Sequence, residues 1–317
     1  MLKMHNVKAA LIGLSVGDAL GVPVEFSSRS KMKKNPVTGM REFGTWNQPI
    51  GTWSDDTSLT IAAMESITRL RTFDKVDVMK NFVLWLRDDE FTANDDAFDC
   101  GNTTGAAIDN FVRGATPETC GLTQENSNGN GSLMRIFPAV FYAYEKAPTD
   151  EDALKIVHEF SALTHAHEVS QMACGIYYLI CAQILDGQNL TDAINSGLKL
   201  AKEFYSNQQK FLNTVETFNR LFKENFAALP EDEIRSTGYV VATLESVIWC
   251  LHNTKDYKSL ALTAVNLGGD TDTVGAIAGG IGGLYYGLHQ IPSEWLDVLK
   301  RRTYLEELAE KFYLSLT

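Results

Sequence analysis

The 317-residue chain predicts an all-α fold, a single-domain compact helical bundle of about a dozen helices. Three observations carry that expectation. Apolar residues recur at three- and four-residue spacing along most of the chain. Alternating strand patterns joined by hairpin turns are scarce. No Pro/Ser/Gly linker or low-complexity run divides the sequence, so residues 1–317 read as one domain.

Taken in order, the first apolar run covers residues 6–20 and stops at Pro23, which cannot continue a helix. A second covers 57–71. Val76, Met79, Phe82, Val83 and Leu86 mark the face of a third, with Asp74 placed to cap it. Runs at 102–113 and 132–146 follow. Ala153, Ile156, Val157, Phe160 and Leu163 mark another face, opened by Thr149 with Asp152 in a capping-box-like spacing. Runs at 167–186, 191–204, 207–227, 237–252, 257–267, 273–288 and 294–315 complete the series. Two stretches lack the period. Residues 27–53 hold Pro36, Pro49 and several glycines and read as a long irregular loop. Its Arg29, Lys31, Lys33, Lys34 and Arg41 are simplest as a solvated basic face, with attraction of a phosphorylated ligand the alternative. Residues 88–101 hold Asp88, Asp89, Glu90, Asp95, Asp96 and Asp99, most of them expected in solvent.

Hydrophobic residues make up 44% of the chain and charged residues 21%, which supports a large soluble core. A net charge of −12 argues against a general nucleic-acid binder, while leaving room for local anion binding. Cys100, Cys120, Cys174, Cys181 and Cys250 are odd in number and show no CxxC spacing, so neither a disulfide framework nor a zinc site is expected. The N-terminus lacks a long apolar region followed by a cleavage site, and the apolar stretch 274–288 is short and close to Asp272. A cytoplasmic monomer without a membrane partner is the expectation.

Five constellations carry chemistry. Ser54-Asp55-Asp56-Thr57 opens an apolar helix; capping needs one such residue, and four in a row leave capping and ligand binding both open. Asp270-Thr271-Asp272-Thr273 opens another, followed by glycines and alanines that let a second backbone approach. If these strings meet, four carboxylates surround one point, and cations are needed to neutralise them. Their oxygens suit a hard cation such as Mg²⁺ or Mn²⁺. Glu25 lies on the exit loop after Gly17, Gly21 and Pro23. The loop Asn126-Ser127-Asn128-Gly129-Asn130-Gly131-Ser132, ahead of an apolar run, is either a phosphate cradle or a plain surface turn. In Thr164-His165-Ala166-His167, no third soft ligand supports zinc; capping is the default, and His165 is also placed to orient a phosphate or ribose. His158 is expected at the surface.

In their order and chain-wide spacing, these motifs resemble the ADP-ribosylglycohydrolase family, of the dinitrogenase reductase-activating type. The resemblance runs through Gly17-Asp18-Ala19-Leu20-Gly21, Trp53-Ser54-Asp55-Asp56-Thr57, Asp99-Cys100-Gly101-Asn102, Gly129-Asn130-Gly131-Ser132-Leu133-Met134-Arg135, Leu163-Thr164-His165, Gly238-Tyr239-Val240 and Gly268-Gly269-Asp270-Thr271-Asp272-Thr273. It implies an orthogonal helical bundle around two Mg²⁺ or Mn²⁺ ions. By motif, Ser54, Asp55 and Asp56 would ligate from one side, with Ser54 standing where the family often has Thr; Asp270, Asp272 and Thr273 would ligate from the other. Glu25 matches a mobile acidic residue near the metals, and Asp99 an acid at the mouth; Glu25, Asp99 and Asp270 are the catalytic candidates. Ser127, Asn128, Gly129, Asn130, Gly131 and Ser132 would hold a diphosphate with His165 nearby, and Tyr239 would pack on the adenosine side. The implied reaction is hydrolysis of ADP-ribose from a modified protein side chain, most simply arginine. Alternatives are serine-linked ADP-ribose, O-acetyl-ADP-ribose, an ADP-ribosylated nucleobase, a non-catalytic crystallin-like or ADP-ribose-binding relative, and, without the resemblance, a metal-dependent phosphohydrolase.

Overall fold

The computed structural model describes residues 1–317 as fourteen α-helices joined by loops and short 3₁₀ turns, with isolated bridges in place of strands. In chain order the helices are α1 (Met4–Gly21), α2 (Arg29–Lys34), α3 (Asp55–Leu70), α4 (Lys75–Asp88), α5 (Asn102–Val112), α6 (Phe137–Lys146) and α7 (Asp150–Ala162). They continue as α8 (Glu168–Leu185), α9 (Leu190–Ser206), α10 (Val240–Asn253), α11 (Tyr257–Asn266), α12 (Thr271–Tyr286), α13 (Ser293–Leu296) and α14 (Arg302–Leu316). One continuous hydrophobic core joins them, including Trp53, Trp85, Phe160, Tyr177 and Phe312.

The centre of the bundle is the pair α1 and α12. Both carry glycines four residues apart, so one face of each is bare backbone. A Cβ on Gly17 would lie 2.0 Å from the Gly275 carbonyl oxygen, and one on Gly21 would lie 2.3 Å from Asp272 Cα. No side chain fits between backbones this close. The contact sets the end of α1 directly beside the start of α12. By length and composition α1 is apolar enough to cross a membrane, yet 94% of its most apolar window is buried within this core.

Local signals placed several helices correctly. Asp74 accepts from the Asp77 N–H and Thr149 from the Asp152 N–H, each capping its helix as the sequence implies. Five expectations need correction. Residues 207–227 form separate 3₁₀ turns instead of a helix. The run 294–315 is broken into α13 and α14, because Arg301 takes a left-handed φ of 53° and Lys300 N–H donates to Gly51 O. Residues 132–136 are turns, so α6 begins only at Phe137, with Pro138 in its first turn. The 27–53 stretch contains α2 and a 3₁₀ turn at Gly44–Trp46. His158 is buried, not surface: its Nε2 lies 2.7 Å from the Tyr205 hydroxyl. All five cysteines are free, four of them buried.

Candidate metal centre and ligand cleft

Three helix ends converge on one point: the last turn of α1 and the first turns of α3 and α12. Asp18, on α1, caps α3 from another helix. Its Oδ1 accepts from Ser54 N–H at 2.9 Å, and its Oδ2 from Thr57 N–H at 3.1 Å and Thr57 Oγ1 at 2.7 Å. Ser54, the N-cap of α3, makes no capping bond of its own. Its hydroxyl lies 3.0 Å from both Asp18 Oδ1 and Asp56 Oδ2, so one proton serves two carboxylates. The Asp-rich string is therefore not an elaborate self-cap; its carboxylates are left for something else.

The exit loop after α1 pairs with the loop ahead of α12. Phe26 N–H donates to Gly269 O at 2.7 Å, Gly269 N–H to Ser27 O at 2.8 Å, and Thr271 Oγ1 to Gly21 O at 2.8 Å. These bonds bring Glu25 against Asp270 and Asp272. Carboxylate oxygens of Asp18, Asp56 and Asp272 lie within 4.8 Å of one another, as do those of Glu25, Asp270 and Asp272. Asp272 belongs to both groups, so the two form one linked acidic centre.

The electrostatics of this centre are unfavourable for bare carboxylates. Asp18, Asp56 and Asp272 are fully buried. Burial raises Asp18 to about 7 against its four hydrogen bonds. Burial, then the Asp99 charge, raises Glu25 to about 9, and burial raises Asp99 to about 6. Asp55, Asp56 and Asp272 are pushed well above the carboxylate range, first by burial and then by neighbouring acids. Asp56 Oδ1 and Asp272 Oδ2 are buried without any hydrogen-bond partner. Hard divalent cations, which take oxygen ligands, would satisfy both orphans and remove the like-charge cost. The residues present thus fit metal binding. Asp55 stands outside both groups, within electrostatic reach of Asp99 and Asp56. Thr273 sits on the first turn of α12, its N–H bonded to Asp272 Oδ1.

Glu25 and Asp99 form the rim. Trp46 Nε1 donates to Glu25 Oε2 at 2.5 Å, and the Trp46 ring packs against Phe98 with centroids 5.6 Å apart. Asn94 Nδ2 donates to Gln48, which donates to Asp96, joining the two non-helical stretches into one edge. Of the rim acids, Asp95 and Asp96 are exposed as expected, while Asp99 is withdrawn towards Glu25 and Asp272. The basic residues of the 27–53 stretch do not serve the site directly. Arg29 donates to the carbonyls of Leu267, Glu231 and Ile234, binding α2 to the loops around α11, and Lys33 pairs with Glu231.

Beside the acids lies the loop 126–132. Asn130 Nδ2 donates to Asp270 Oδ2 at 2.8 Å and to Thr243 Oγ1 at 3.0 Å, joining the loop to the centre. Asn130 N–H donates to Gly238 O, Val240 N–H donates to Asn128 O, and Gly129 bridges to Tyr239. The N–H groups of Gly129, Gly131 and Ser132 make no backbone hydrogen bond. The loop does not open α6, so any anion here is held by loop amides and not by a helix terminus. The Ser132 side chain turns inward, accepting from Ser161 Oγ at 2.9 Å, and Ser127 is likewise buried. His165 lies under the loop: a Cβ on Gly131 would meet its ring at 2.9 Å. His167 instead caps α8 through Nδ1. Tyr239, half exposed, lines a cleft of about 510 Å³ with Asn128, Val169 and Thr214. Acidic centre, amide loop and cleft follow one another as a continuous strip.

Two residues of this site escaped sequence reasoning. Asp18 is a lone acid on an otherwise apolar, buried helix, and that isolation was the available signal, since a buried charge needs partners. Arg135 is fully buried behind the loop, and its motif position gave no hint of its contacts.

Fold and site together define an all-helical protein with a buried carboxylate centre whose donor set fits hard cations. The chain belongs to the ADP-ribosylglycohydrolase family, whose model matches residues 2–317. It is 32% identical over 317 residues to the ADP-ribosylarginine hydrolase Tri1 of Serratia proteamaculans (strain 568), covering 98% of this chain and 80% of that protein. It is 30% identical over 298 residues to the ADP-ribosyl-[dinitrogen reductase] glycohydrolase of Rhodospirillum rubrum, covering 92% and 88%. A solved structure described as an ADP-ribosylglycohydrolase-related protein complex superposes with a TM-score of 0.82 at 30% identity, covering 99% of each chain.

Proposed function

We propose that the protein releases ADP-ribose from modified arginine side chains, using two Mg²⁺ or Mn²⁺ ions held by the acidic centre. The observation that carries this reading is the pair of carboxylate groups sharing Asp272, with orphaned oxygens on Asp56 and Asp272. When bound, the cations supply Lewis acidity and an activated water at neutral pH. Asp56, Asp270 and Asp272 would hold them, with Ser54 and Thr273 at the same helix starts and Asp55, outside both groups, reaching the ions only from their edge. The amides of Gly129, Gly131 and Ser132, with Ser127 and Asn128 on the adjoining turn, orient the diphosphate, and Asn130 keeps that loop in register with Asp270. Tyr239 and its cleft receive the adenosine end.

We assign the scissile bond to Glu25 and Asp99, which lie together beside the acidic centre. Their raised affinity for protons suits one of them to deliver a proton to the leaving group and recover it from water. Trp46 holds Glu25 Oε2 in place for that exchange. The exposed Asp95 and Asp96 at the edge suit a guanidinium-bearing substrate, and the named activity of the Serratia relative agrees with arginine. The enzyme is taken as a cytoplasmic monomer that needs neither membrane nor nucleic acid.

The test is release of free ADP-ribose from ADP-ribosyl-arginine with Mg²⁺ or Mn²⁺, beside Asp272→Ala. Cation-dependent release that the variant loses is the expected result. No release from a protein that binds the cation and is folded would overturn the arginine reading.

A further inference from the structure

Arg135 is a buried cation with no carboxylate against it. Its guanidinium lies 4.9 Å from the Phe82 ring centroid and 5.9 Å from that of Phe160, an aromatic cage for a desolvated charge. One terminal nitrogen donates to Gly131 O, and the other donates to Thr164 Oγ1 at 2.7 Å. Thr164 is fully buried, and its Oγ1 lies 2.7 Å from His165 Nδ1. His165 is held from both sides: its N–H donates to Ser161 O, and its carbonyl accepts from Ser161 Oγ.

Proton counting decides the direction of this chain. A guanidinium only donates, so Thr164 Oγ1 accepts from Arg135. The hydroxyl then has one proton to place, and His165 Nδ1 is the acceptor beside it. Pointing the Nδ1 proton at Thr164 would instead strand that hydroxyl proton in a buried site, a cost of about 1–3 kcal/mol. The imidazolium is excluded too: burial, then Arg135, push His165 down to about 3. Nδ1 therefore accepts, and the ring proton resides on Nε2. That nitrogen lies beside the glycine loop, 3.4 Å from where a Cβ on Gly129 would be.

We propose that Arg135, acting through Thr164, fixes His165 as the Nε2–H tautomer and so makes it a dedicated donor to a diphosphate oxygen seated on the Gly129–Ser132 loop. Arg135 and Thr164 are positioning residues; His165 is the group that meets ligand. The same arginine holds the loop through Gly131 O, so one side chain sets both the amides and the imidazole that face the anion. A neutral ring with a fixed donor keeps that donor aimed at an unprotonated phosphate oxygen at neutral pH. The ligand half of the proposal rests on the ADP-ribose reading above, whereas the tautomer half does not.

The first test is the ¹⁵N spectrum of histidine-labelled wild-type protein at neutral pH, with His165→Asn identifying the His165 signals. A protonated-type Nε2 and an unprotonated-type Nδ1 are expected. A protonated Nδ1, or an imidazolium, overturns the relay whatever the ligand. The second test compares ADP-ribose and adenosine binding in Thr164→Val and Thr164→Ser. Loss of the hydroxyl should weaken ADP-ribose about tenfold, leave adenosine unchanged, and be rescued by serine. Equal weakening of both ligands overturns the donor role. If the wild type shows the expected tautomer but binds no ADP-ribose, the ligand reading fails while the relay stands. If Thr164→Val does not fold, the wild-type spectrum and the serine variant decide.

Discussion

Gly17 and Gly275 meet backbone to backbone: a Cβ on Gly17 would stand 2.0 Å from the Gly275 carbonyl oxygen, and one on Gly275 would stand 2.4 Å from the Gly17 carbonyl oxygen. The acidic centre depends on this contact, because it fixes Asp18 and Asp272 on facing helices. Two effects oppose each other in Gly17→Ala. Helix propensity favours alanine by about 1 kcal/mol. A buried clash with main chain costs about 1–3 kcal/mol, and here no flexible side chain can move aside. Overpacking wins, so thermal unfolding should show a destabilised protein, and calorimetric titration should show weakened Mn²⁺ binding. A variant as stable as wild type with intact cation binding would show that the helices separate at no cost.

Asp18 is predicted to serve the centre chiefly by holding the start of α3. In Asp18→Asn one oxygen becomes an NH₂ group facing either the Ser54 or the Thr57 donors, so two donors lose their acceptor. Unsatisfied buried donors cost about 1–3 kcal/mol each. Stability should fall by about 2 kcal/mol or more, and cation affinity with it. Unchanged urea unfolding would remove Asp18 from this role.

What the sequence made legible follows the range of the interactions involved. The capping of α4 by Asp74 and of α7 by Thr149 spans three residues, and both were readable. The acidic strings were readable as polar clusters at helix starts; that they form one centre was implied only by the family resemblance, because their meeting depends on the α1–α12 contact. Asp18 was missed because its donors lie 36 and 39 residues away. Residues 207–227 misled because Phe211, Phe218 and Phe226 have helix-like spacing but pack from separate turns; Phe211, for one, meets His158 and Tyr205. Arg29 looked like a solvated or ligand-seeking cation, yet its donors are engaged by backbone carbonyls far along the chain.

Cation-free protein should lose stability as pH rises. Folding raises Asp18 from 3.8 to about 7, Glu25 from 4.5 to about 9, and Asp99 from 3.8 to about 6. The folded state therefore binds more protons than the unfolded chain between about pH 4 and 9, and stability falls with pH across that window. Bound Mg²⁺ or Mn²⁺ offsets the loss, by about 2.7 kcal/mol at a hundredfold excess over Kd. Thermal unfolding after chelation should thus give a lower midpoint at pH 8 than at pH 5, and added cation should raise it most at pH 8. A cation effect equal at both pH values would place the ions elsewhere than this centre.

Glu25 and Asp99 compete for the proton-transfer role, and paired amide variants separate them. Glu25 is held by Trp46 Nε1, a donor that stabilises its carboxylate while burial and the Asp99 charge favour its acid. Glu25 thus has a fixed position and a strong hold on its proton, the combination a general acid needs. Glu25→Gln keeps the shape and a hydrogen-bonding group, and removes the titrating proton. General acid–base catalysis contributes about 10²–10⁴-fold, so kcat should fall by that order while the thermal shift on adding Mn²⁺ persists. Asp99→Asn, altering the more weakly raised neighbour, should lower kcat less and shift its pH dependence, because it removes a charge that raises Glu25. Trp46→Phe preserves the ring packing against Phe98 but deletes the donor to Glu25, and is expected to reduce kcat by about tenfold, the worth of one hydrogen bond to a charged group. If Glu25→Gln retains full rate and Asp99→Asn does not, the proton passes through Asp99, and Trp46→Phe should then leave kcat untouched.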